Sequence, residues 1–230
     1  GKLAARLIKR MEGENVREER DVLAIPTLGP LGDKKFWDFN VFPKAYKGWS
    51  AMNKKDKIVA GLIASIHGLA LAAPFTYSAN MLKLFAAGYL VNCFGITMSF
   101  HRQLTHKSFE TDKWLEHFFA FWGILGVQGH PIEWVSAHRH HHNQCDDVAD
   151  PHSPYDGFWW SHMGWMFDSK SQALLFDTTN AKDMKKDDFY VWAKKHYLKI
   201  TLAQPLVYYA LGGFPAVVWG FALRTVFCWH

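Results

Sequence analysis

The sequence predicts an all-α integral membrane protein: four transmembrane helices in two hairpins, with a histidine-rich helical cap on one side. Three observations predict it. Four apolar runs (Ile58 to Ser78, Met81 to Phe100, Tyr197 to Leu211 and Phe214 to Cys228) are nearly free of charge and pair across two short links. Lys and Arg gather at one end of these runs and are absent from the hairpin tips. Two groups of histidines lie at that same basic end.

Composition fits spans plus a polar cap. Of 230 residues, 49% are hydrophobic, with 11 Trp and 18 Phe, yet mean hydropathy is only −0.13. The formal charge of +5 is distributed as in a membrane protein, not as a nucleic-acid footprint. Thirteen basic residues precede Ile58 and ten lie between His101 and His196, while Tyr77 to Asn80 and Leu211 to Pro215 carry none. The positive-inside rule then places the N-terminus, both histidine groups and the C-terminus on one side. Four spans give the same parity. Cys93, Cys145 and Cys228 have no paired spacing, which argues against a disulfide framework or a zinc CxxC site and for a reducing compartment.

Taken in order, residues 1–57 read as an interfacial N-terminal segment: a charged helix, then a Pro- and Gly-broken lead-in with aromatic anchors. Residues 58–230 read as the membrane domain. The first run is about 20 residues, enough to cross a hydrocarbon core at 1.5 Å per residue. Its His67 is expected to be a satisfied interior histidine. In the second run Lys83 can snorkel, and Gly88 and Gly95 permit close helix contact. Trp114 to Val127 is too short to span and reads as a buried or half-inserted helix. Phe158-Trp-Trp160 and Trp165 form a patch suited to the interface. Gly212-Gly213 is the second hairpin tip.

The chemistry lies in the histidines. In Glu133-Trp-Val-Ser-Ala-His138-Arg-His-His-His142, positions i, i+3 and i+4 share a helix face, so His138, His141 and His142 converge and His140 points away. His101 and His106 are five apart, about 140° around an ideal α-helix, which disfavours one metal shared from one helix. Several neutral imidazoles suit Zn, Cu, Fe or Ni. Neither HExxH nor the ExxH carboxylate pattern of helical bundles occurs, so a mostly histidine centre is expected. Asp146, Asp147, Asp150, His152 and Glu133 are candidates to hold the ligating rings in orientation. Trp134 is a candidate to brace the cluster or line a pocket.

These residues resemble the membrane fatty acid desaturases of the delta-9 and acyl-lipid type. His101-Arg-Gln-Leu-Thr-His106 is similar to their HxxxxH box, and His138-Arg139-His140-His141-His142 to HRxHH. Asp150-Pro-His-Ser-Pro-Tyr-Asp-Gly-Phe-Trp-Trp-Ser-His162-Met-Gly-Trp165 resembles the segment after the second box. Gln128-Gly-His-Pro-Ile-Glu-Trp resembles the plant and algal branch, including palmitoyl-lipid desaturases of plastids.

The resemblance implies four spans, a cap holding two non-haem irons, and O2-dependent insertion of a cis double bond into an acyl chain. It implies His101, His106, His138, His141 and His142 as ligands, with His140 and His230 outside the set. It implies ferredoxin or cytochrome b5 as electron donor, and a plastid membrane (thylakoid or envelope), with the endoplasmic reticulum as alternative. The family's third box and one further ligand would fall beyond His230. The sequence is then either a piece of a longer desaturase or a shortened, catalytically incomplete lipid-binding subunit of a membrane complex; a sterol or alkane hydroxylase with related boxes is a third reading. The acyl-CoA enzymes of the family carry charged CoA contacts just before the second box. Here Ser136 and Ala137 stand there, which points to a lipid-linked acyl substrate.

Overall fold

The computed structural model describes residues 52–145, 150, 152–154, 157–168 and 178–230. The segment expected at residues 1–57 falls largely outside them, as do Asp146 and Asp147. Among the described residues every regular element is helical. The chain divides into two units, Gly1–Ala60 with His140–Phe176 and Gly61–Arg139 with Asp177–His230.

Helix α1 (Lys54–Ala70) opens on a reciprocal cap: the Asp56 amide donates to Asn53 Oδ1 (2.9 Å) and the Asn53 amide to Asp56 Oδ2 (3.3 Å), satisfying two donors that a helix start leaves orphaned. It stops at Ala70 because Pro74 has no N–H for the Ala70 carbonyl. A 3-10 turn at Ala73–Thr76 follows. The first apolar run is thus a 17-residue helix plus a turn, interrupted where Pro74 stands in the sequence.

Ser78 caps the next helix, its Oγ accepting from the Met81 amide at 3.2 Å. Helix α2 runs Ala79–Thr105; it is α-helical to Cys93 and π-helical over Phe94–Thr105. Helix α3 (Lys113–Leu125) packs back on the π segment. The approach demands two glycines: a Cβ on Gly95 would sit 2.1 Å from the Gly123 amide nitrogen. A Cβ on Gly88 would meet the Arg224 side chain at 3.5 Å, an ordinary contact. Helix α4 (Pro131–Asn143) carries the second histidine group. Phe100, Ile124, Ile132, Val135 and Tyr190 anchor the core beside it.

Helix α5 is Phe158–His162. In its aromatic patch Trp160 is buried while Phe158 and Trp159 are exposed. The last long element comprises α6 (Asp188–Ala216), a π segment (Val217–Leu223) and α7 (Arg224–Trp229). Helical geometry breaks at Gly212 and Gly213. Gly213, at φ 64° and ψ −157°, occupies backbone space open essentially to glycine alone. The two legs then fold back antiparallel: Gly212 faces Ala216, the Tyr208 ring meets Gly220, and Gln204 bonds Arg224, pairs placed symmetrically about residue 214. This is the hairpin expected across Gly212-Gly213. Met81 reaches Gly212, so the Ser78 link and the Gly212-Gly213 link share one end of the unit.

Arg224 is buried, and among the described residues its hydrogen-bond acceptors are neutral oxygens: Gly220 O (2.9 Å), Leu125 O (2.6 Å), Gln204 Oε1 (2.8 Å) and Asn92 Oδ1. Outward-facing positions are apolar: Leu82, Leu90 and Phe94 on α2, and Leu198, Leu202, Leu206 and Leu211 on α6 are all exposed. Ala79–Thr105 and Asp188–Trp229 are long and apolar enough to cross a bilayer.

Candidate metal centre

The first histidine pair is closed by the π-helix. The His106 amide donates to the carbonyl of His101 at 3.0 Å, five residues back, and Thr105 Oγ1 donates to Phe100 O at 2.8 Å. With i→i+5 bonding, residue i+5 stacks one turn above residue i. The rings of His101 and His106 therefore meet at 4.6 Å between centroids, with their Nε2 atoms 3.0 Å apart. The 140° separation expected from α-helical spacing is corrected by this local geometry, and the two rings can address one ion.

His138 on α4 joins them, its ring 4.6 Å from His101 and 5.5 Å from His106. The ligand nitrogens of all three lie within 4.8 Å of one another. Trp134, one turn before His138, lies 5.0 Å from the His138 ring and 6.4 Å from His101. Its Nε1–H donates to Gln128 Oε1 (3.2 Å), and Gln128 Nε2 donates to Cys228 O (2.9 Å).

In the other unit, His141 Nδ1 donates to Asp150 Oδ2 at 2.9 Å. Asp150 is fully buried and also accepts from the His152 amide at 3.2 Å. The rings of His141 and His152 lie 4.4 Å apart, with Trp165 beyond His152 at 5.3 Å. Burial holds the His152 imidazole below its ordinary pKa, so it is neutral at pH 7. An imidazole whose Nδ1–H is held by a carboxylate presents Nε2 as its lone pair, the arrangement metal-binding histidines use. His142 follows His138 by one turn of α4, and its ring is 5.5 Å from His141. Glu133 pairs with His130 Nε2 (3.1 Å).

Sequence reading missed two features. Arg139 binds Asp183, Asn180 O and Leu104 O, and no local spacing marks a partner 44 residues away. A further group of donors, Glu116, His117 and Asp187, gathers where α3 meets the start of α6. There Lys113 Nζ lies 2.7 Å from Glu116 and 3.3 Å from Asp187, His117 Nε2 lies 3.0 Å from Asp187, and Tyr190 OH donates to Glu116 at 2.7 Å. Burial raises the Asp187 pKa, but the His117 and Lys113 contacts and the Phe189 amide outweigh it and hold the carboxyl below its usual value.

The first cluster fits a metal. Two nitrogens, each about 2.1 Å from one ion and at right angles, would lie about 3.0 Å apart, the separation of His101 and His106. Its donors are imidazoles, which suit Fe, Zn, Cu or Ni.

The helical unit has two long apolar helices and brings one histidine box against another, a donor set of the kind a metal ion would need. The chain belongs to the fatty acid desaturase family, which it matches over residues 78–230. It is 44% identical over 184 residues to the chloroplastic palmitoyl-monogalactosyldiacylglycerol delta-7 desaturase of Arabidopsis thaliana, covering 79% of this chain and 49% of that protein. It is 43% identical over 173 residues to an acyl-CoA 5-desaturase of Anemone leveillei (74% and 53%). It is 40% identical over 168 residues to the sn-2 palmitoyl-lipid 9-desaturase of a Nostoc species (71% and 59%). The chain spans about half the length of the curated relatives it matches.

Proposed function

We propose that the protein is a fatty acyl desaturase that introduces a cis double bond into a lipid-linked acyl chain, using O2 and two non-haem irons. The observation that carries the reading is the convergence of His101, His106 and His138 from two histidine boxes, in a chain of this family. In this reading those three, with His141 and His142, are metal ligands. Asp150 and His152 hold His141 in its ligating tautomer, a role supported by the 2.9 Å bond from His141 to Asp150. When bound, the irons supply O2 activation and withdrawal of two hydrogens from an unactivated methylene pair. The chain's own residues orient the rings and pack Trp134 against His138.

The membrane reading is four spans in two hairpins within residues 58–230, with residues 1–57 at the interface. It is supported by the shared end of the two hairpin links, the exposed Leu and Phe positions, and the lysines at the opposite end. Lys194, Lys195 and Lys199 are exposed and immediately precede the uncharged stretch from 200 to 223. A plastid membrane is supported by the chloroplastic relative, and ferredoxin is the electron donor that suits that compartment, with cytochrome b5 its counterpart at the endoplasmic reticulum. A lipid-linked substrate is supported by position 136: Ser136 is uncharged, buried and hydrogen-bonded to Asn180, so it offers no charge to a CoA group.

The test is lipid analysis of a desaturase-deficient host expressing the full-length gene. A new cis-alkene, lost on His141→Ala with the protein still in the membrane, is expected. A hydroxylated chain would make the protein a hydroxylase, and an unchanged profile would remove the enzymatic reading.

A further inference from the structure

We propose that Arg139 is a positioning residue that fixes the spacing between the two histidine boxes, with Asp183 and Asn180 as its anchor; this rests on the metal reading above. Arg139 directly follows His138. Its Nη2 donates to the carbonyl of Leu104 at 2.8 Å, and Leu104 lies between His101 and His106. Its two terminal nitrogens grip Asp183 in a fork, Nη1 to Oδ1 at 2.8 Å and Nη2 to Oδ2 at 2.9 Å, and Nη1 also donates to Asn180 O at 2.9 Å. One turn earlier on α4, Ser136 Oγ donates to Asn180 Oδ1 (2.6 Å) and Asn180 Nδ2 returns a bond to Ser136 O (3.0 Å). Lys107, just past His106, reaches Asp183 at 3.3 Å. One turn of chain, Thr178 to Asp183, is thereby bolted to both boxes.

Among the described residues no backbone hydrogen bond joins the π end of α2 to α4. Phe100 and Trp134 pack across the gap at 5.7 Å, but apolar contact is not directional and tolerates sliding. The guanidinium adds direction. Only a planar fork with five donors can meet a bidentate carboxylate and two carbonyls from different segments together; a lysine offers three donors at one point. An ordinary surface ion pair contributes little, but this side chain is 16% exposed and ties three separate segments.

Outer partners of metal ligands typically influence affinity 10- to 100-fold. The test titrates Co²⁺ into the full-length protein in detergent and reads the visible ligand-field bands, with helix content followed by circular dichroism. Arg139→Gln is expected to weaken Co²⁺ binding roughly 10- to 100-fold and alter the bands while helicity is kept. Arg139→Lys should restore only part of the loss. Asp183→Asn, which leaves both carbonyl bonds available, should weaken binding by less. Lys113→Gln, which removes an exposed ion pair elsewhere, should change nothing. Wild-type affinity and bands in Arg139→Gln would overturn the proposal, as would full rescue by lysine. If Arg139→Gln does not fold, Asp183→Asn decides: unchanged binding overturns the proposal. A wild-type protein that takes up no Co²⁺ defeats the metal reading itself, a result distinct from all of these.

Discussion

Two clusters in one unit gather metal-type donors, and they differ in what balances their charge. His101, His106 and His138 bring together imidazoles alone. Glu116, His117 and Asp187 come equally close but include two carboxylates, and Lys113 lies against both. The second cluster carries its own cation. Its hydrogen bond to Glu116 raises the Lys113 pKa and keeps it charged, so the group is a clasp between α3 and α6. Closeness of ligand atoms is common to both clusters; donor chemistry separates them.

The largest effect should come from His138→Ala. Loss of one of three converging imidazoles is expected to remove iron and abolish alkene formation, measured by metal analysis and lipid profile; retention of both would erase the distinction between the clusters. Gly95→Ala should damage both clusters together, because a Cβ there meets the Gly123 backbone and forces α2 off α3, at a cost on the order of 3 kcal/mol in thermal or denaturant unfolding. An unchanged melting temperature would contradict the packing.

Asp187→Asn should leave iron content intact and lower stability by about 1 kcal/mol. The same variant sharpens the pH contrast. A carboxyl whose folded pKa lies below the unfolded value of about 3.9 stabilises above that pH, and the contribution is lost as pH falls through the folded pKa. The acid limb of the stability curve should therefore be shallower in Asp187→Asn than in the parent. Smallest of all, Lys113→Gln should cost less than about 1 kcal/mol and leave bound iron unchanged; loss of iron there would make the clasp part of the metal centre.

Much of this was legible in the sequence because its causes are local. The Gly212-Gly213 break follows from paired glycines between apolar runs. The close approach at Gly95 was readable as a small residue in an apolar helix. The His101–His106 contact was not, because five-residue spacing was converted with the α-helical period; the π-helical stretch Phe94–Thr105 changes the angle. Helix α1 is shorter than its apolar run because Pro74 withholds a donor, a break that the proline marks in the sequence. The Arg139–Asp183 brace had no local signal, since it depends on how the chain folds over 44 residues.

The central claim is that the converging histidines hold metal. Iron analysis of the full-length protein, purified without chelator or affinity metal, tests it most directly. About two Fe per chain, falling on His138→Ala but not on Asp187→Asn, is the predicted result, as expected of clustered imidazoles. No iron in the parent protein, or equal iron in both variants, would contradict it.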